Sequence, residues 1–124
     1  MKKNVVKQKS YKFSLEVIKL YKHLIYKQKE FVLSKQLLRS GTAIGALILE
    51  GEHAQSRADF LHKMNIALKE ANEARYWLDL LKDSGYIGIT LHQKLCQEAE
   101  ELIKLLASIV RTTKQSLHKN TNPN

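Results

Sequence analysis

The chain has 124 residues, enough for one domain, and 44% of them are hydrophobic, which is ordinary for a globular protein. Its one cysteine, Cys96, excludes an internal disulfide and a zinc site built on paired cysteines. No apolar run approaches the roughly 18 residues that a membrane-spanning helix needs, so we expect a cytoplasmic protein without a membrane partner. The only proline is Pro123, and a long proline-free body is typical of long helices.

The formal net charge of +9 is unevenly distributed. Residues 1–39 contain 11 Lys and Arg but 2 Asp and Glu, whereas residues 40–124 contain 10 of each kind. An excess of this kind favours polyanions as partners, and we therefore consider RNA and DNA first. We interpret residues 1–10 as a basic N-terminal arm.

The first predicted helix covers residues 11–28. At about 100° per residue, its apolar side chains share one broad arc and its lysines lie opposite. This basic face has two readings: a solvated surface rich in lysine, or a polyanion-binding strip on which Tyr26 stacks with bases. The candidate nucleic-acid-binding residues are Lys12, Lys19, Lys22, Tyr26 and Lys27.

The second predicted helix begins at Ser34, an N-cap candidate, and ends near Ala54. It contains Gly41, Gly45 and Gly51, each of which costs about 1 kcal/mol relative to alanine inside a helix. Because the segment lacks the lysine and the strand of a nucleotide-binding loop, we interpret the glycines as a close approach by another helix.

The third predicted helix begins near Ser56, whose spacing to Asp59 is that of a capping box. Its apolar residues are spaced alternately by four and three, as in a coiled coil. They are Phe60, Met64, Ala67, Ala71, Ala74, Leu78 and Leu81. We expect this alanine-rich seam to receive the glycines of the second helix, and Ser84-Gly85 to end the third.

The fourth predicted helix begins with a capping box at Thr90 and Gln93 and frays after about residue 117. Residues 119–124 have the composition of a disordered tail. Four helices joined by short links predict an all-α protein, an antiparallel up-and-down four-helix bundle over residues 11–118.

The two central helices resemble a bacterial family typified by proteins encoded in intervening sequences of 23S ribosomal RNA genes. The matching positions are Arg39, Gly41, Gly45, Glu50, Gly51, Phe60, Ile66, Ala67, Glu73, Gly85 and Tyr86. The resemblance implies a four-helix bundle that assembles as a homopentamer, in a family for most of which no activity is established. The chain is also distantly similar to accessory proteins of diversity-generating retroelements, which bind nucleic acid through a basic surface.

An enzymatic role has little support in the sequence. A di-iron bundle needs two Glu-x-x-His motifs, and the chain has one, at Glu50 and His53. We predict no catalytic residue, no metal and no cofactor, and we interpret Cys96 as a small buried side chain. We expect Glu50 or Glu73 to meet a basic side chain, and Arg39 to pair with the third helix or with another subunit.

Two functions from different classes therefore stay open. The first is a non-enzymatic oligomeric bundle that binds nucleic acid or a nucleoprotein through the basic arm and the first helix. The alternative is a structural or protein-interaction scaffold whose lysines serve solubility alone. A small-residue face at a subunit boundary would favour assembly as the explanation of Gly41 and Gly45.

Overall fold

The computed structural model describes the backbone of residues 2–121 and the side chains of residues 4–119. The regular elements of this part of the chain are four helices, which confirms the predicted four-helix bundle. They are α1 (Lys2–Tyr26), α2 (Leu33–Glu52), α3 (Arg57–Asp83) and α4 (Ile89–Thr121). None of the described helices combines the length and the apolar character that crossing a membrane requires.

The first helix begins well before the predicted position. α1 starts at Lys2, so the segment predicted to be an arm continues the helix. The reason is packing, because Val6 and Ser10 are each only 1% exposed and this part of α1 is held against the bundle. At the other end, α4 continues to Thr121, and residues 122–124 of the predicted disordered tail lie outside the described residues.

The N-terminus of α2 is capped by a residue that the sequence analysis missed. Glu30 accepts hydrogen bonds from the backbone N–H groups of Val32, Leu33 and Ser34 at 3.0, 2.9 and 2.6 Å. Ser34 is therefore not the cap, and its hydroxyl instead donates to the carbonyl of Glu30 at 2.8 Å. A buried carboxylate satisfies the amide groups that a helix start leaves without partners.

The other predicted ends have mixed outcomes. The cap of α3 is confirmed, since Ser56 Oγ accepts from the Asp59 N–H at 3.0 Å. The end of α3 is also confirmed, with Gly85 at φ 86° and its N–H bonded to the Lys82 carbonyl. The predicted cap of α4 is wrong, because that helix begins at Ile89 and Thr90 already lies in its first turn.

The predicted seam of α3 forms the centre of the core. Six of its seven residues, from Met64 to Leu81, are at most 1% exposed, and Phe60 packs at the edge. Ion pairs between α2 and α3 indicate that these two helices run in opposite directions. Arg39, early in α2, pairs with Glu70 and Glu73 in the middle of α3, whereas Glu50, late in α2, pairs with Lys63 nearer the start of α3.

The expected partner of the glycines was wrong at two of the three positions. A Cβ atom on Gly41 would lie 2.9 Å from both methyl groups of Val17, and one on Gly45 would lie 3.4 Å from Ser10 Oγ. Both glycines thus face α1, and only Gly51 faces α3, where its Cβ would meet Met64. Missing side chains indicate that a helix comes close, but they do not identify which helix it is.

Candidate nucleic-acid interface

The outward face of α1 carries a line of basic and aromatic side chains. Lys12, Lys19 and Tyr26 are spaced by seven residues, so they lie along one side of the helix. All three are exposed, as are Lys22 and Lys27, and the Tyr26 side chain is 67% exposed. The structure therefore places the five predicted residues on the solvent side of α1 and of the turn that follows it.

The lysines of this region differ in whether they are paired. Lys7 forms an ion pair with Glu52 of α2 at 3.0 Å, and Lys9 pairs with Glu101 of α4. Within the described side chains, by contrast, no ion pair is formed by the four predicted lysines, which are Lys12, Lys19, Lys22 and Lys27. Lys12 lies close enough to Glu16 to help lower the pKa of that carboxyl group, so Lys19, Lys22 and Lys27 have the charges most available to an external anion.

An exposed aromatic and aliphatic patch continues this line at the turn between α1 and α2. Phe31 is 57% exposed and Val32 is 70% exposed, next to the exposed Lys29 and Lys35. The chain reverses here because Lys29 adopts a left-handed conformation at φ 56°. The sequence analysis did not single out Phe31 and Val32, because their exposure depends on the conformation of the turn.

The boundary between α1 and α4 borders the same face. A cavity of about 360 Å³ lies there, lined on the polar side by Lys19, His23, Lys94 and Glu16. Glu16 forms an ion pair with Lys94, with 3.0 Å between Oε2 and Nζ. Burial, together with the neighbouring Glu16, raises the pKa of Glu98 to about 7. The carboxylate of Glu16 offsets the charge of Lys94, so this boundary is less basic than the line along α1.

The family-motif charges join α2 to α3. Arg39 contacts Glu70 at 3.2 Å and Glu73 at 2.7 Å, and Glu50 contacts Lys63 at 3.1 Å, as expected for these carboxylates. The hydrogen bond from Arg39 holds the pKa of Glu73 below its ordinary value. These side chains are paired within the chain and therefore link α2 to α3.

A second cluster of reactive side chains lies between α3 and the beginning of α4. His92 Nε2 is 2.7 Å from Asp79 Oδ1 and 3.3 Å from Cys96 Sγ. Burial, and then the charge of Asp79, raises the pKa of the Cys96 thiol. His92 and Cys96 are four residues apart, a spacing that places both on one helix face, but the sequence did not indicate that Asp79 lies opposite.

Comparison with known proteins identifies relatives but no activity. The family model described as 23S rRNA-intervening sequence protein matches residues 2–108. A crystal structure from Bacteroides thetaiotaomicron, described as a protein of unknown function from the S23 ribosomal protein family, is 56% identical with a TM-score of 0.88, over 90% of this chain and 99% of that one. Among proteins with curated descriptions, none matches. The chain therefore belongs to the family of 23S rRNA-intervening sequence proteins.

Proposed function

We propose that this protein is a non-enzymatic helical bundle of the cytoplasm that binds nucleic acid through the exposed face of α1. The observation that carries the proposal is the line of Lys12, Lys19 and Tyr26, extended by Lys22 and Lys27, with no lysine among them held in an ion pair of the described residues. Lysines that form no ion pair attract the phosphates of a nucleic acid whatever its base sequence. An exposed aromatic ring offers a surface on which a base outside a duplex stacks.

The distribution of charge favours a nucleic-acid interface on α1 over a surface whose lysines serve solubility alone. Glu52 and Glu101, from the part of the chain with no net charge, pair with Lys7 and Lys9 near the start of α1, whereas the later lysines of α1 form no ion pair among the described side chains. Phe31, at the turn that follows α1, is a second exposed aromatic side chain. Single-stranded RNA or DNA fits this combination better than a duplex, because its bases are free to stack.

A salt titration tests the proposal. Binding of labelled single-stranded RNA, single-stranded DNA and duplex DNA is measured by fluorescence anisotropy over a range of salt concentrations. We expect the logarithm of the affinity to fall linearly with the logarithm of salt concentration. Changing Lys12, Lys19, Lys22 and Lys27 together to glutamine should weaken binding strongly and reduce the slope by about 3 for a single strand.

The chain offers a control of equal charge. Four exposed lysines elsewhere are Lys69, Lys104, Lys114 and Lys119, and their replacement by glutamine changes the net charge by the same amount. This variant should keep most of the affinity. Equal losses in the two variants would show a general charge effect, and no binding by the unmodified protein would favour the scaffold alternative.

A groove between α1 and α2 supports self-association as part of the proposed function. It has a volume of about 730 Å³, and small residues such as Ser14, Gly45 and Ala46 form its floor. Tyr11 and Leu49 flank it with 67% and 48% exposure. We propose that a second copy of this chain covers the groove, in keeping with the pentamer that the family resemblance implies, because small residues let another helix approach closely.

Light scattering tests the assembly separately from nucleic-acid binding. We expect a mass several times that of the 14.3 kDa chain. Ala46→Glu combined with Leu49→Glu should dissociate the assembly, because two charges would be buried at the contact. Ala58→Glu, at an exposed alanine of α3, is the control that should leave the mass unchanged. A monomeric unmodified protein would reject the assembly.

A further inference from the structure

Three different metal-ligand side chains converge where α3 meets the first turns of α4. Asp79 comes from α3, and His92 and Cys96 come from successive turns of α4. The ligand atoms Oδ1, Nε2 and Sγ all lie within 4.8 Å of one another. The cluster is separate from the basic face of α1, and neither the family resemblance nor the proposed function gives it a role.

The geometry of the cluster fits a single ion. The three separations are 2.7 Å between Asp79 and His92, 3.3 Å between His92 and Cys96, and 3.9 Å between Cys96 and Asp79. A point about 2 Å from all three atoms lies in the plane of the triangle that they form, near the distances of about 2.0–2.3 Å at which Zn²⁺ binds nitrogen, carboxylate oxygen and thiolate sulfur. Tetrahedral binding requires Asp79 Oδ1 and His92 Nε2 to move apart from their 2.7 Å hydrogen bond, so that the ion lies above this plane.

The same geometry argues against a nucleophilic thiol. In a cysteine–histidine–aspartate relay, the thiol and the carboxylate contact opposite nitrogens of the imidazole ring. Here both contact Nε2, so the ring cannot pass a proton from one to the other. The ring nitrogen that lies nearest to both partners is the one that a shared cation would bind.

We propose that Asp79, His92 and Cys96 bind a divalent cation of intermediate softness, of which Zn²⁺ is the best fit. A mixed set of oxygen, nitrogen and sulfur donors favours such ions over Mg²⁺ and Ca²⁺, which prefer oxygen alone. The Asp79 side chain is 49% exposed, which gives the ion a path from solvent and leaves a fourth position to water. On binding, the Cys96 thiol releases its proton to solvent.

A cobalt titration tests the site directly. Co²⁺ replaces Zn²⁺ in tetrahedral sites and gives a sulfur-to-metal charge-transfer absorption only when a thiolate binds it. Under a non-thiol reductant, we expect this band to saturate at one Co²⁺ per chain and to disappear when Zn²⁺ is added. The absence of the band at saturating Co²⁺ would overturn the proposal.

Variants distinguish this cluster from other histidines. Cys96→Ser should abolish the band, and His92→Gln should weaken Co²⁺ binding by more than about tenfold, since the loss of even a second-shell partner commonly costs that much. His62→Gln removes an exposed histidine of α3 outside the cluster and should leave the titration unchanged. A band that survives Cys96→Ser, or that is lost in His62→Gln, would contradict the assignment.

A measurement on the unmodified protein covers the case in which a variant fails to fold. Cys96 is 8% exposed and is the only thiol, so the rate of alkylation by a thiol reagent reports on this position alone. We expect Zn²⁺ to slow alkylation severalfold and Mg²⁺ at the same concentration to have no effect. An alkylation rate that Zn²⁺ leaves unchanged would reject the site.

Discussion

Gly41 and Gly45 lie one turn apart on the same face of α2 but have different amounts of space before them. A Cβ atom on Gly41 would lie 2.9 Å from both methyl carbons of Val17, whereas one on Gly45 would have Ser10 Oγ at 3.4 Å as its nearest neighbour. Val17 is β-branched, so its side chain cannot rotate away easily. Packing within one chain thus requires the first glycine but not the second, which lines the groove between α1 and α2.

Alanine substitutions at these two residues should therefore have opposite effects on stability. Gly41→Ala should lower the free energy of unfolding by about 1 kcal/mol, because overpacking costs about 1–3 kcal/mol and helix propensity returns up to about 1 kcal/mol. Gly45→Ala should raise it by up to about 1 kcal/mol. Urea denaturation of both variants measures the difference, and a change of the same sign in both would contradict the account.

At the scale of the element, α2 depends on Glu30 for its N-terminal cap. Burial alone would raise the pKa of Glu30, but hydrogen bonds from the amides of Leu33, Ser34 and Val32 outweigh it and hold the pKa below its ordinary value of 4.5. The cap therefore contributes stability above pH 4.5 that is lost as the pH falls through the lowered pKa.

Removal of this carboxylate should destabilise the bundle measurably. We expect Glu30→Ala to lower the free energy of unfolding by about 2–3 kcal/mol, because charged hydrogen bonds to three backbone amides disappear. Lys35→Ala, at an exposed residue of the first turns of α2, is the control and should change it little. Denaturant unfolding at pH 7 and pH 4 should show a smaller loss at the lower pH; an equal loss at both would contradict the charged cap.

The elements themselves could be predicted because each follows a local pattern. The four-three spacing of α3 identified its buried seam, and the left-handed Gly85 marked its end. Which helix packs against each helix face could not be predicted in the same way. Gly41 and Gly45 face α1, and Glu30 caps a helix that begins three residues later, because tertiary contacts decide both.

At the scale of the whole molecule, the basic residues that cluster early in the sequence lie on the outward face of α1. The predicted lysines of α1 point outward, as their spacing indicated, because the apolar arc of that helix must face the core. The cluster of Asp79, His92 and Cys96 could not be predicted in this way. Its members come from two helices, and their convergence depends on the register of α3 against α4, which no local pattern contains.

The contact between α1 and α4 adds a pH dependence to the closure of the bundle. One carboxylate oxygen of Glu16 bonds Lys94, while the other is buried and accepts no hydrogen bond from the described side chains. A protonated Glu98 is the neighbouring group that can donate to it. Burial and this contact raise the pKa of Glu98 from 4.5 to about 7.

The sign of the effect follows from proton linkage. Between pH 4.5 and about 7, Glu98 holds its proton in the folded state but not in the unfolded state, so its stabilising contribution is complete below pH 4.5 and is lost as the pH rises through about 7. The pKa of Glu16 is lowered because the nearby Glu98 carboxyl group and the ion pair with Lys94 outweigh its burial, so the contribution of Glu16 to stability is lost only as the pH falls below 4.5.

Glu98→Gln should therefore flatten the profile of melting temperature between pH 5 and pH 8. Glutamine donates to Glu16 at every pH and is never charged, so the variant should match the unmodified protein near pH 5 and melt higher near pH 8. Asp83→Asn, at a carboxylate that is 72% exposed, is the control and should keep the original slope. If Glu98→Gln also keeps that slope, the carboxyl group does not titrate in this range, and the contact between α1 and α4 closes the bundle equally well at either pH.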